Sequence, residues 1–269
     1  MRIRLTIVVF CVLLGQSTRA ANLIDECYSD MYNLAFADAH RCFERWENAH
    51  PDDPIGPVSD AAAYLFSEFE RLRILQSEFF VNDNSSARRT PLTPDPAIKQ
   101  KFDAALARTQ TIADRRLARS ENDKQAMFAN ILRLGLTADY LALIQKHYLL
   151  ALKGTEESRR LAARLLAVDP KMYDAYLAIG VENYLLSLKA APVRWLLHMQ
   201  GAQTNRETGI ANLRLTAEHG RYLRPYAELL LSVAALRDHN QSEAKRLLAD
   251  LAAQFPRNHL YRDELRKLN

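Results

Sequence analysis

Two cysteines, Cys27 and Cys42, stand fifteen residues apart, a spacing at which two thiols on neighbouring helices can close a short loop in an oxidising compartment. The seven histidines (His40, His50, His147, His198, His219, His239 and His259) are scattered. No two of them stand where both imidazoles could hold one metal ion. Ser242 and Lys245 have the Ser-x-x-Lys spacing in which a lysine activates a serine. They open a helical pattern, however, and Asn240 or Ser242 is better used there as its cap. Glu182 beside Asn183, and the Glu-His-Gly-Arg set at 218–221, are the other polar groups amid apolar sequence, and they read as caps or inter-helix hydrogen bonds. The sequence contains no Gly-rich phosphate loop, no Gly-x-Ser-x-Gly, no His-Glu-x-x-His and no Cys-x-x-Cys. These residues specify no reaction, metal or cofactor, and the expectation is a protein that is not an enzyme.

The elements that would position these side chains are helices. Glycine is scarce, with 8 in 269 residues, and apolar residues recur at intervals of three and four rather than alternately. Punctuation at 49–57, 81–96, 119–123, 153–157, 168–171, 189–193, 222–225, 237–241 and 255–258 cuts the chain into about eleven helices with short links. Short links between helices favour antiparallel neighbours. The stretch 81–96 is the longest irregular one and is expected to be a surface loop; its Asn84-Ser85-Ser86 is a glycosylation acceptor only in a host that modifies such sites.

Residues 1–20 have the anatomy of a secretory signal: Arg2 and Arg4, an apolar run from Leu5 to Leu14, then small and polar residues up to Ala20. The run is about half the length needed to span a bilayer. Cleavage near Ala20 would leave residues 21–269 as one domain in the periplasm or outside the cell. It would also take the 36 basic residues to 33, against 32 acidic ones. A nearly neutral chain without a basic, aromatic-interleaved run gives no reason to expect a nucleic-acid partner. No later stretch is read as a transmembrane segment.

Three segments share one register. Ala39, Phe43 and Pro51, then Ser158, Ala162 and Pro170, then Ala244, Leu248 and Pro256 are each spaced by four and eight residues. In "YDAYLAIGVENY" at 173–184, Tyr176 is followed by the pair Ile179-Gly180. This pattern resembles the two-helix tetratricopeptide repeat, in an exported bacterial form, with a large residue and Leu-Gly in the first helix and Ala, Phe and Pro positions in the second. The resemblance covers 22–52 and about 139–269; 57–138 is looser, because helices near 58–81 and 96–119 are long for standard units. It implies an all-α fold, a right-handed superhelix of stacked antiparallel helix pairs. The segment 189–209 departs from the pattern by an inserted turn or short helix carrying Trp195, Leu196 and Met199.

In such a superhelix the first helices of the pairs line the concave side. The register places Tyr140, Leu143, His147, Leu177, Val181, Tyr184, Tyr226, Leu229 and Arg237 there. The resemblance implies a scaffold that holds a protein or peptide partner in this groove, without a cofactor. Two alternatives stay open: a tight superhelix closes its own groove, or polar residues around 182–221 bind or modify a small molecule or an envelope glycan. Cys27 and Cys42 fall on the two helices of the opening hairpin, either as a disulfide or as two buried thiols.

Overall fold

The computed structural model describes residues 23–74, 92–188 and 204–268. The signal segment 1–20, Asn84 and most of the 81–96 loop, and Trp195, Leu196 and Met199 of the 189–209 segment lie outside the described residues. The described residues form an all-helical array of eleven α-helices with no strand among them. They are α1 (23–32), α2 (Phe36–Ala49), α3 (Ile55–Arg71), α4 (Pro96–Arg119), α5 (Lys124–Asp139), α6 (Tyr148–Val168), α7 (Tyr176–Ser187), α8 (Arg206–His219), α9 (Arg224–Arg237), α10 (Gln241–Gln254) and α11 (His259–Lys267). Each helix packs on its neighbour in the chain, and the neighbours form adjacent pairs as in a helical-repeat solenoid.

Local chemistry sets the ends. Asp95, Asp123, Asn205, Asn240 and Asn258 each accept a backbone N–H from the first turn of α4, α5, α8, α10 and α11, satisfying donors that a helix start otherwise orphans. Asn240, not Ser242, is therefore the cap of α10. α2, α6 and α10 stop in the same way. His50, Asp169 and Phe255 each leave the helix in extended or near-extended geometry while their N–H still bonds the carbonyl four residues back. The next residue in each case is Pro51, Pro170 or Pro256, whose ring disfavours helical geometry in the residue before it. The repeated proline register thus has one structural meaning at three sites.

The break expected at 153–157 is not there. α6 runs without interruption from Tyr148 to Val168. A Cβ on Gly154 would sit 3.5 Å from the Ala138 Cβ, so this glycine lets α5 and α6 approach rather than ending a helix. The interruption falls earlier. After α5 the bonding widens into a π-helical turn, Tyr140–Ile144, and Lys146 turns into the left-handed region at φ 59°. Neither Gly nor Pro marks that point in the sequence.

The long α4 is seen as expected, at 24 residues. It is tied in by polar contacts: the Asp95 N–H donates to Glu68 at 2.7 Å, and Arg71 grips the same carboxylate. Lys124–Ile144 is long and apolar enough in composition to cross a membrane. In the fold it is packed between α3, α4 and α6, which accounts for that composition.

The array closes on itself. α1 and the hairpin it opens lie against the last third of the chain. The Tyr28 ring stacks on Tyr222 at 4.9 Å, the Tyr32 hydroxyl donates to the Tyr222 carbonyl at 2.8 Å, and Arg221 pairs with Asp25 at 3.0 Å. One link further on, the Asn258 amide donates to the Tyr32 carbonyl at 2.9 Å and the Arg257 N–H to Asn33 at 2.9 Å. α3 joins the closure, with Phe66 edge-on to Tyr226 at 5.7 Å. Cys27 and Cys42 form a disulfide, with their Cα atoms 5.2 Å apart, so α1 is bolted to α2 as well as packed on both ends of the chain.

Candidate functional site

Several first helices of the pairs line one inner space, a partly open pocket narrowed by the closure of the array. A cavity of about 100 Å³ lies between α1, α3, α5, α7 and α9. A second, of about 60 Å³, lies toward α10 and α11, and the two share Met31, Tyr32, Phe66 and Tyr226 in their walls. Leu177, Val181 and Tyr226 line the larger space and Leu143, Tyr226 and Leu229 the smaller.

Four of the residues placed on the concave face by the repeat register stand elsewhere. Tyr140 is buried against Phe102, with ring centroids 5.4 Å apart. Tyr184 is buried where α8 crosses α7, and a Cβ on Gly209 would come within 2.6 Å of its backbone nitrogen. Arg237 is half-buried at the end of α9, and His147 is exposed at the start of α6.

The polar sets singled out in the sequence have structural partners. Glu182 is fully buried and ion-paired with Arg159 of α6 at 2.8 Å. The Asn183 carbonyl accepts the Asn205 N–H at 3.1 Å. His40 bonds Asp60 at 2.6 Å and stacks on Tyr64, and Arg108 of α4 stands 3.8 Å from the same carboxylate. In the 218–221 set, the Arg221 N–H bonds a carboxylate that the sequence did not flag. Asp174, nine-tenths buried, accepts the N–H groups of Arg221, Tyr222 and Leu223 at 2.9–3.3 Å. Burial raises its carboxyl above the usual range while these three donors pull it back.

The cavity's own polar lining is different. Tyr28 is bonded to Ser59, Tyr32 to the Tyr222 carbonyl, Thr155 to the Ala151 carbonyl and Ser158 to the Ile131 carbonyl. Among the described residues of the larger cavity, two polar side chains have no hydrogen-bond partner: the Asp139 carboxylate and the Tyr226 hydroxyl. Asp139 is partly buried and lines the cavity. Burial alone pushes its carboxyl up to about 7. Burial, and then the nearby Asp139 charge, push the Tyr226 hydroxyl up. No Lys, Arg or His is among the described residues that line this space.

The sequence did carry a signal for Asp139: it is the one acidic residue between Asp123 and Glu156, inside the long apolar stretch Lys124–Ile144. Nothing in the pattern said which way it points.

No protein-family model matches the chain, and no curated protein is detectably similar to it.

Proposed function

We propose that this is an exported, non-enzymatic helical-repeat protein that binds a small, largely apolar ligand inside its closed superhelix. The observation that carries the reading is the internal cavity with apolar and aromatic walls and few polar groups, the usual makeup of a ligand site. An engineered apolar cavity of about 150 Å³ binds benzene, and the two adjoining spaces of about 100 and 60 Å³, which share four wall residues, are together of that order, room for a ring or a short alkyl chain. An extended peptide laid along the concave face would have to displace α1, which holds the two ends of the array together. The reading is tested by titrating toluene and n-hexanol into the purified protein and following ligand signals by NMR. Ala178 lines the cavity, and Ala178→Phe should fill it and abolish saturable binding while helicity is unchanged. Equal binding by the filled variant would overturn the reading.

A second reading, a scaffold for a protein partner, is favoured by one surface feature. Tyr148, Leu149 and Leu150 open α6 with relative exposures of 49%, 85% and 59%, and consecutive apolar side chains held in water are a docking feature. On this reading Leu149→Lys removes a partner recovered by pull-down from envelope or medium fractions, and Ala178→Phe does not.

A further inference from the structure

We infer that the ligand of the larger cavity carries a cationic amine, held by the Asp139 carboxylate and the Tyr226 hydroxyl with its apolar body against Phe66 and Leu177. The inference rests on the cavity-binding reading above and names the chemistry of the polar end. Three features of the lining support it. Asp139 is a partly buried carboxylate on the cavity wall with neither a cation nor a hydrogen-bond donor of the described residues directed at it. A carboxylate placed so costs the fold free energy unless it takes up a proton or meets a cation, and with no Lys, Arg or His in the described lining a cation that meets it comes from a ligand. Tyr226 is the second group left without a partner, and it lines the same cavity from α9, within electrostatic reach of Asp139, so it is the second group offered to an ammonium bound there. The walls reinforce the sign of the charge. Tyr28, Tyr32, Phe66 and Tyr226 present aromatic rings, whose faces attract cations and not anions.

The matched series n-hexylamine, n-hexanol and n-hexanoate separates this inference from the reading beneath it, because the three share an alkyl body and differ in the head. Affinities at pH 8 are measured by ligand-observed NMR on the full protein, with Ala178→Phe as the blocked control. The expected order is amine first, by about tenfold or more over the alcohol, as for a charge-assisted hydrogen bond in place of a neutral one, and hexanoate weakest. Asp139→Asn should remove the amine's advantage and leave hexanol binding as it was, and Tyr226→Phe should reduce the advantage in part.

The pH dependence adds a readout that a packing role would not move. The other titratable groups that line the cavity are Tyr28 and Tyr32 on α1, Asp174 before α7, held by three backbone donors, and Tyr226 on α9. The tyrosines are all pushed up, away from neutrality, so hexylamine affinity should rise between pH 6 and 8 in wild type and stay flat in Asp139→Asn. If hexanol binds as well as hexylamine, or if Asp139→Asn keeps the preference, the amine inference is overturned and the cavity reading stands. If no member of the series binds, the cavity reading falls and takes the inference with it.

Discussion

At the scale of single residues, the polar side chains that line the larger cavity divide into those whose polarity is consumed by the fold and two that are left over, Asp139 and Tyr226. Glu182, Asn183, Asp60 and Asp174 all sit in or near apolar surroundings, and each has a partner a helix away. Asp139 does not, and its effect on stability follows from the sign of its shift. An unfolded aspartate titrates near 4 and the folded Asp139 near 7, so between those values the native state keeps a proton that the unfolded chain releases. The contribution of this group is most favourable below about pH 4, is lost as pH rises toward 7, and stays lost above, at up to about 1.4 kcal/mol per pH unit across the window. Asp139→Asn should therefore unfold later than wild type at pH 8 and show a flatter dependence between pH 5 and 8, as read by thermal melts. A glycine gives the opposite case. The Cβ of Gly209→Ala would lie 2.6 Å from the Tyr184 backbone nitrogen, so α8 has to move off α7, and a loss of roughly 1–3 kcal/mol is expected in denaturant titrations.

At the scale of elements, the array depends on links as much as on helices. Asp174 reaches from the turn before α7 to three N–H groups ahead of α9, doing from a distance what a cap does locally. Asp174→Ala should cost about 2–4 kcal/mol, because it leaves three partly buried donors without an acceptor. Amide exchange should accelerate at 221–226 more than at α10. The disulfide is the other link. It closes a loop of fifteen residues, for which chain-entropy arguments give about 3 kcal/mol. Reduction should lower Tm under otherwise native conditions, and Cys27→Ser with Cys42→Ser should reproduce that Tm.

At the scale of the molecule, the decisive feature is closure of the array by α1. Its contacts run to Tyr222 on one side and to Asn258 on the other, so the ends of the chain stabilise each other. Tyr222→Ala removes the stack on Tyr28 and the face that Phe128 meets. A loss of about 2–4 kcal/mol is expected for a partly buried aromatic. The distinguishing sign is where hydrogen exchange rises: together in α1 and in 257–267 if the ring is one cooperative unit, or only around 221–226 if it is not.

Much of the fold was legible in the sequence because it is governed by local rules. The intervals of three and four, the Asp and Asn caps and the repeated prolines at 51, 170 and 256 determined all-helical structure, near eleven helices, and the way three of them end. Gly154 misled, since a glycine that serves a close approach looks the same in sequence as one that ends a helix; only the Ala138 side chain opposite it tells them apart. The site was half legible. The register found Leu143, Leu177, Val181, Tyr226 and Leu229 as inward-facing, yet placed Tyr140, Tyr184, Arg237 and His147 with them, because where a helical side chain ends depends on the neighbour that covers it. Asp139 was visible only as an isolated acid in an apolar helix. Whether it met a cation, water or a cavity was set by residues far away in the chain, and the same is true of the closure that narrows the inner space. Local propensity and spacing are properties of the sequence by itself; closure of the array, burial and unmet charge arise from contacts between residues nearly two hundred positions apart, and those only the tertiary structure decides.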